Sequence, residues 1–518
     1  MKKTQKRLIT VVAAIAAASA AISGCNKDRQ TASEAKLTYW APFYTHYSKM
    51  GTNMGNAPFY KELMEKTGVQ IEFIHPPVGD EESNFNLLVA SGDLPDLIEY
   101  SFLSYKGGPE KAIDDNIILE IGQYLKEKSP NLYKVLQEHP EWDKQVKTDS
   151  DKYYCFPAIR GDEFLDYWNG PQVRKDYLDK AGLEAPETVE EWENMLIVFK
   201  ETLGVETPLT LKSANNYTHI FAGAYGITTS FFLKDGRVTF GPMTDEYESY
   251  LKLMNSWVEK GLLDSDYATH DAKTLDAQIA SGKAGAWVGS VGGDMGKYIT
   301  ATKANDENAA IIAVKPPVLK KGSKPEIGYK DFDYVPGQSV SVSTDCQDID
   351  SVFKFMDYAY GEEGHMFFNF GVEGISYNMI DGYPTYVDSI IHPEEGTTVY
   401  QAMTEYTRAA VMGPMIQDKR YFEQYMVNAE QKESADAWKL DGDAQWRMPN
   451  ITFTIEESNK IASKLTEISN YAMEMETKFI LGAQPLSALE QYRRDLKSMG
   501  LEDVIAVMQT AVERYENR

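Results

Sequence analysis

Leu37-Thr38-Tyr39-Trp40 reads as a strand and is followed by a helical pattern over 58–66 that closes at Gly68. Val69-Gln70-Ile71-Glu72-Phe73 then alternates with period two, as a half-buried strand does. A second helical pattern over 84–90 stops at Ser91-Gly92, where glycine accepts the left-handed conformation of a helix C-cap. After Leu94-Pro95 a further short strand covers 96–100. Strand and helix alternating in this way predict a largely parallel sheet with helices on its faces. Ligands of such sheets sit beyond the carboxyl ends of the strands, here residues 40–44 and Tyr100-Ser101.

Outward from this block the texture changes twice. Thr188-Val189-Glu190-Glu191 fits a capping box, and Trp192, Met195, Leu196 and Phe199 give the helix behind it one apolar stripe. A second helix over 244–260 carries Tyr247, Tyr250, Leu251, Met254, Trp257 and Val258 on one face and ends at Gly261. Trp192 and Trp257 are therefore expected in the core. Strands return at 284–288, 309–314 and 339–343, and helices return from 350–360 to the end. No internal repeat or low-complexity region is found after residue 35.

The first 25 residues have a separate logic. Lys2, Lys3, Lys6 and Arg7 precede an apolar run over 8–21 that is too short to span a bilayer stably, so it reads as a signal peptide. It ends in Ile22-Ser23-Gly24-Cys25, which resembles the lipobox of bacterial lipoproteins. That resemblance implies cleavage before Cys25 and a diacylglyceryl group on its thiol; two acyl chains suffice for stable anchoring. Residues 25–35 then form the lipidated cysteine and a polar tether.

Composition narrows the function. A net charge of −26 argues against nucleic acid, whose phosphates demand Lys/Arg clusters; the acidity reads as solubility. Cys155 and Cys346 lack the spacing of a metal site and are expected as two buried thiols, although export leaves a disulfide chemically open. The chain has no nucleophile elbow, zinc-protease motif, P-loop or dinucleotide fingerprint, so no catalytic residue and no cofactor is expected. Gly289-Ser290-Val291-Gly292-Gly293 lacks the Lys of a phosphate cradle and reads as a hinge or turn. His219 and His270 stand without partners in the sequence. With 78 acidic residues, pairs such as Glu362-Glu363 have almost no specificity as a glycosidase signal.

Several segments, in order, resemble the extracellular solute-binding proteins of bacterial ABC importers, family 1, in their large-lipoprotein branch. They are Leu88-Val89-Ala90-Ser91-Gly92-Asp93-Leu94-Pro95-Asp96, then Val173 through Leu183 with Pro186-Glu187-Thr188-Val189-Glu190-Glu191-Trp192, and Trp257 through Leu263 with Ser281 through Trp287. Phe370-Gly371-Val372-Glu373-Gly374-Ile375-Ser376-Tyr377 and Phe479-Ile480-Leu481-Gly482 complete the set, with Ala511-Val512-Glu513-Arg514-Tyr515 near the end. The resemblance implies an α/β, two-lobed periplasmic-binding-protein-like fold of type II, with discontinuous lobes joined by a hinge. The expected division is a signal peptide at 1–24, a tether at 25–35, an N-terminal lobe from 36–155 plus 288–345, and a C-terminal lobe from 156–287 plus 346–518. One departure stands out. Where many relatives carry a calcium loop, residues 201–208 hold too few oxygen ligands, so no structural calcium is expected there.

The resemblance further implies a monomeric, non-enzymatic binding protein anchored outside the cytoplasm that delivers a small solute to ABC permease subunits. An oligosaccharide is favoured by the aromatic load, with an oligopeptide or other organic solute the main alternative; an extracellular glycoside hydrolase and a sensor lipoprotein are rival classes. Sugar C–H faces pack on aromatic rings, and sugar hydroxyls pair with planar side chains. By analogy Trp40, Tyr44 and Tyr100 of the first lobe are expected at the ligand. Arg160, Trp168, Trp287, Glu373, Tyr377 and Trp446 complete the expected site.

Overall fold

The computed structural model describes residues 36–212, 219–440 and 445–518, and Lys36–Arg518 forms one compact unit. The expected signal peptide, the expected lipobox at Cys25 and the expected tether lie outside the described residues. Among the described residues no helix is long and apolar enough to cross a membrane.

Two four-stranded sheets organise the unit. In the first, Lys36–Trp40 pairs in parallel with Gln70–Ile74 on one side and Leu97–Glu99 on the other, and Val340–Val342 adds an antiparallel edge beside Leu97–Glu99. The connecting helices Pro58–Thr67 and Glu81–Ser91 end on Gly68 and Gly92, both in the left-handed conformation (φ 66° and 69°) that the sequence predicts. In the second sheet Asn169–Arg174 and Ala284–Ser290 lie antiparallel at the centre, flanked by Ile311–Ala313 and Thr207–Leu209. The capping box at Thr188 and Glu191 is present, and the helix Val189–Glu201 behind it buries Trp192 completely; Trp257 is equally enclosed. Cys155 and Cys346 are buried, free thiols.

The two sheets explain where the expected boundaries fail. Ile311–Ala313, expected in the first lobe as part of 288–345, pairs with Asn169–Arg174 in the second sheet. Residues 346–368, expected in the second lobe, instead cover the first sheet. The strongly amphipathic helix Ile349–Asp357 places Val352, Phe353, Phe355 and Met356 in the first core, where Phe367 and Phe368 join them around Phe59. An exposed sheet face needs a helical cover, and the chain returns to supply it.

Three chain segments run side by side between the sheets. Phe156 still bridges Val340 in the first sheet, and Val335 N donates to Ala158 O while Arg160 N donates to Asp333 O. On the other side Ile416–Gln417 pairs in parallel with Ile159–Arg160. The first of these segments then reaches the second sheet, where Val291 N donates to Trp168 O. Such a bundle of short crossings is the construction of a hinge between two lobes.

Candidate functional site

The crossings assemble a polar and aromatic cluster on one carboxylate. Arg160 Nη2 donates to Asp331 Oδ2 at 2.5 Å, and Trp168 Nε1 donates to the same oxygen at 3.0 Å. Asp331 Oδ1 accepts Phe332 N at 2.9 Å. The Trp168 ring meets Tyr329 edge-on at 4.9 Å, and both are only half-buried. Arg447 lies 3.5 Å over the Phe332 ring and donates Nη1 to the carbonyls of Lys330 and Asp331. Burial would raise the Asp331 carboxyl, but the Arg160 charge and the hydrogen bonds outweigh it and hold the group below its usual range.

Around this cluster the hydrogen-bonding ledger does not close. Arg160 Nε, Asp166 Oδ1, Tyr167 Oη and Asn169 Oδ1 are buried on the first crossing without a partner, as are Gln338 Oε1 and Gln417 Oε1 on the other two. Buried polar atoms are nearly always satisfied, so these six make the crossings a candidate place for a polar ligand or water. Asp166 is the extreme case. It is 3% exposed, and burial first, then the charge of Asp333, push its carboxyl up to about 8, against the opposing charges of Arg160, Arg447 and Lys330. It is a neutral hydrogen-bonding group at neutral pH.

A second feature joins the lobes. Tyr400 packs against both the first core and the cluster beneath the second sheet, with His46 at 4.1 Å and Tyr425 at 5.8 Å. Tyr425 in turn closes on Gly292, where a Cβ would sit 2.3 Å from the ring. The glycine-rich run is thus a close-approach turn: Val291–Met295 winds as a π-helix after Ser290, whose hydroxyl caps Asp294 N. Asp294 Oδ2 holds Ser290 N at 2.9 Å and Lys212 Nζ at 3.0 Å, fixing the carboxyl end of the central strand.

The structure treats the expected site residues unequally. Arg160 and Trp168 come together on Asp331. Tyr44 donates to Glu99 Oε1 at 2.9 Å with its ring beside Arg408, and Tyr100 stacks half-exposed on Phe85 at 4.3 Å. Trp40 is core, 4% exposed, with its ring turned to Phe85 and Tyr100. Trp287 is a correction. It is fully buried, donates to Gln172 Oε1 at 3.0 Å and packs on Tyr298, so no sugar can stack on it in this conformation. Alternation along its strand turns it away from Ala286 and Val288 and towards Met295 and Tyr298. Glu373 is exposed in a turn closed by Gly374 N on Tyr377 O, and the Tyr377 ring is buried beside Phe370. The Trp446 ring packs on the second-lobe core, and its carbonyl accepts Leu233 N. Tyr329 and Asp331 were not anticipated. The available signal was Tyr329-Lys330-Asp331-Phe332-Asp333-Tyr334, aromatics and acids alternating between two strands.

A family model described as bacterial extracellular solute-binding protein matches residues 54–366. The chain belongs to that family. The fructooligosaccharide ABC transporter substrate-binding protein FusA of Streptococcus pneumoniae is 24% identical over 505 residues, covering 92% of this chain and 90% of FusA. The polygalacturonan/rhamnogalacturonan-binding protein YtcQ of Bacillus subtilis is 22% identical over 71% of this chain and 74% of its own. Among solved structures, alginate-binding protein AlgQ2 without calcium superposes with a TM-score of 0.76 at 19% identity, covering 92% of this chain and 98% of that one. FusA in complex with kestose gives 0.73 at 21% identity, over 93% and 100%. This solute-binding protein therefore has the two-lobed α/β fold of its family, and that family places it outside the cytoplasm.

Proposed function

We propose that this solute-binding protein captures an oligosaccharide between its lobes and presents it to the membrane subunits of an ABC importer, tethered as a monomer through an acylated Cys25. The observation that carries the reading is the Arg160–Asp331–Trp168–Tyr329 cluster on the crossings. It offers half-exposed aromatic faces for sugar C–H surfaces and, beside them, buried polar atoms still lacking partners for hydroxyls. The sugar-binding descriptions of FusA and YtcQ support the same class. A ligand that touches both lobes has differential affinity for the closed arrangement and shifts the population towards it.

A hydrolase reading would draw on the contrast between Asp166, pushed up to about 8, and Asp331, held down. Asp331, however, has both oxygens engaged by Arg160, Trp168 and Phe332 N, which leaves it a structural acceptor rather than a base or nucleophile. The test takes the chain from Asn26 onward and measures thermal shifts against glycan and peptide panels, with chromatography of the glycans afterwards. A ligand at a hundredfold its dissociation constant adds about 2.7 kcal/mol of stability. Stabilisation by a glycan that is recovered intact is the expected result; a shortened glycan would establish turnover, and a response to peptides alone would overturn the sugar class.

A further inference from the structure

The cations around the crossings are consumed inside the protein. Arg160 is neutralised by Asp331 at 2.5 Å, and Lys330 by Glu163 at 2.9 Å. Arg447 donates Nη1 to two backbone carbonyls over the Phe332 ring, and the charges of Asp331 and Asp333 act on its guanidinium. At the carboxyl end of the second sheet's central strand, Lys212 pairs with Asp294 at 3.0 Å. In the first lobe Arg408 is buried against Glu99 at 2.8 Å. Burial lowers the His46 imidazole, beside Tyr400, below its ordinary range.

A sugar carboxylate entering this environment would have to displace an internal carboxylate from its cation or be desolvated unpaired, and either course is costly. The chain's net charge of −26 adds long-range repulsion of a polyanion. Hydroxyls meet no such penalty. Asn169 Oδ1 and Gln417 Oε1 offer acceptors to which a hydroxyl can donate and a carboxylate cannot.

Building on the oligosaccharide reading, we infer that this protein selects neutral oligosaccharides against those bearing uronate carboxylates, with Asp331 as a specificity-determining residue because it cancels the charge of Arg160. The experiment measures dissociation constants at low ionic strength for neutral gluco-, fructo-, galacto- and manno-oligosaccharides beside oligogalacturonates and oligomannuronates of equal length. The expected result is binding of a neutral series, with uronates at least about a hundredfold weaker. Asp331→Asn, which releases the Arg160 charge, should narrow that gap by about tenfold or more. A uronate that binds the wild-type protein as tightly as its neutral counterpart overturns the selection while leaving the oligosaccharide reading in place. Failure of every glycan, with binding of peptides, overturns the oligosaccharide reading itself. A folded Asp331→Asn protein with an unchanged gap removes Asp331 from the specificity role. The wild-type comparison needs no variant, so instability of Asp331→Asn leaves the main test intact.

Discussion

Arg408 and Glu99, 309 positions apart in the chain, form an ion pair in which the guanidinium side chain is 1% exposed and the carboxylate is fully buried. Glu99 Oε1 also takes Tyr44, Oε2 takes Tyr39, and Arg408 Nη1 reaches Tyr60. The pair locks the return segment after residue 400 onto the carboxyl end of the first sheet. Glu99→Gln would leave a buried cation without its counter-charge, a change that costs about 3–5 kcal/mol in comparable pairs. Urea unfolding should register this loss, and the lowered midpoint should accompany a normal far-ultraviolet circular dichroism spectrum.

Trp168→Ala should weaken glycan binding by about tenfold to a hundredfold, as loss of an aromatic anchor does. The variant also removes the indole donor to Asp331 Oδ2, so the unliganded protein should lose about 1–3 kcal/mol of stability. Calorimetric titration beside a thermal scan checks both halves. An unchanged affinity would remove this cluster from the ligand site.

Trp287 gives the opposite pattern. Trp287→Phe leaves Gln172 Oε1 without its indole donor inside the core, a cost of about 1–3 kcal/mol. Stability should fall while the dissociation constant for glycan stays the same. A selective loss of affinity would return Trp287 to the binding surface.

Asp166 makes a pH prediction. Its carboxyl titrates at about 8 in the folded protein, because of burial and then the charge of Asp333, and near about 3.9 in an unfolded chain. Between those values the folded state holds a proton that the unfolded state has released. This contribution to stability is therefore complete below about pH 4 and is lost as the pH rises towards 8. Asp166→Asn removes the dependence. Relative to wild type, the variant should be about equal at pH 4 and more stable at pH 8 by on the order of a few kcal/mol. Urea unfolding at the two pH values checks the sign, and a pH-independent difference would contradict it.

Legibility differed with the range of the interaction. Local signals were read well. The strand–helix alternation over the first hundred residues, the glycine caps at Gly68 and Gly92, the capping box at Thr188 and the buried faces of Trp192 and Trp257 all depend on neighbours a few residues away. The candidate cluster on the crossings is legible in the sequence only in part. Arg160 and Trp168 stood out by residue type, whereas Asp331, which unites them, comes from a segment 163 residues or more downstream. Trp287 was misplaced because a tryptophan near a crossing looks the same in sequence whichever side of the sheet it faces.

The elements, the family pattern and the acidic net charge of −26 are legible from the sequence, because periodicity, capping chemistry and composition are properties of short stretches or of sums. The folded arrangement settles that Ile311–Ala313 joins the second sheet, that Ile349–Asp357 covers the first, and that Arg160 pairs with Asp331 and Lys330 with Glu163. Those outcomes depend on which distant surfaces bury one another and on where charges meet after chain reversal, and neither is encoded in local spacing.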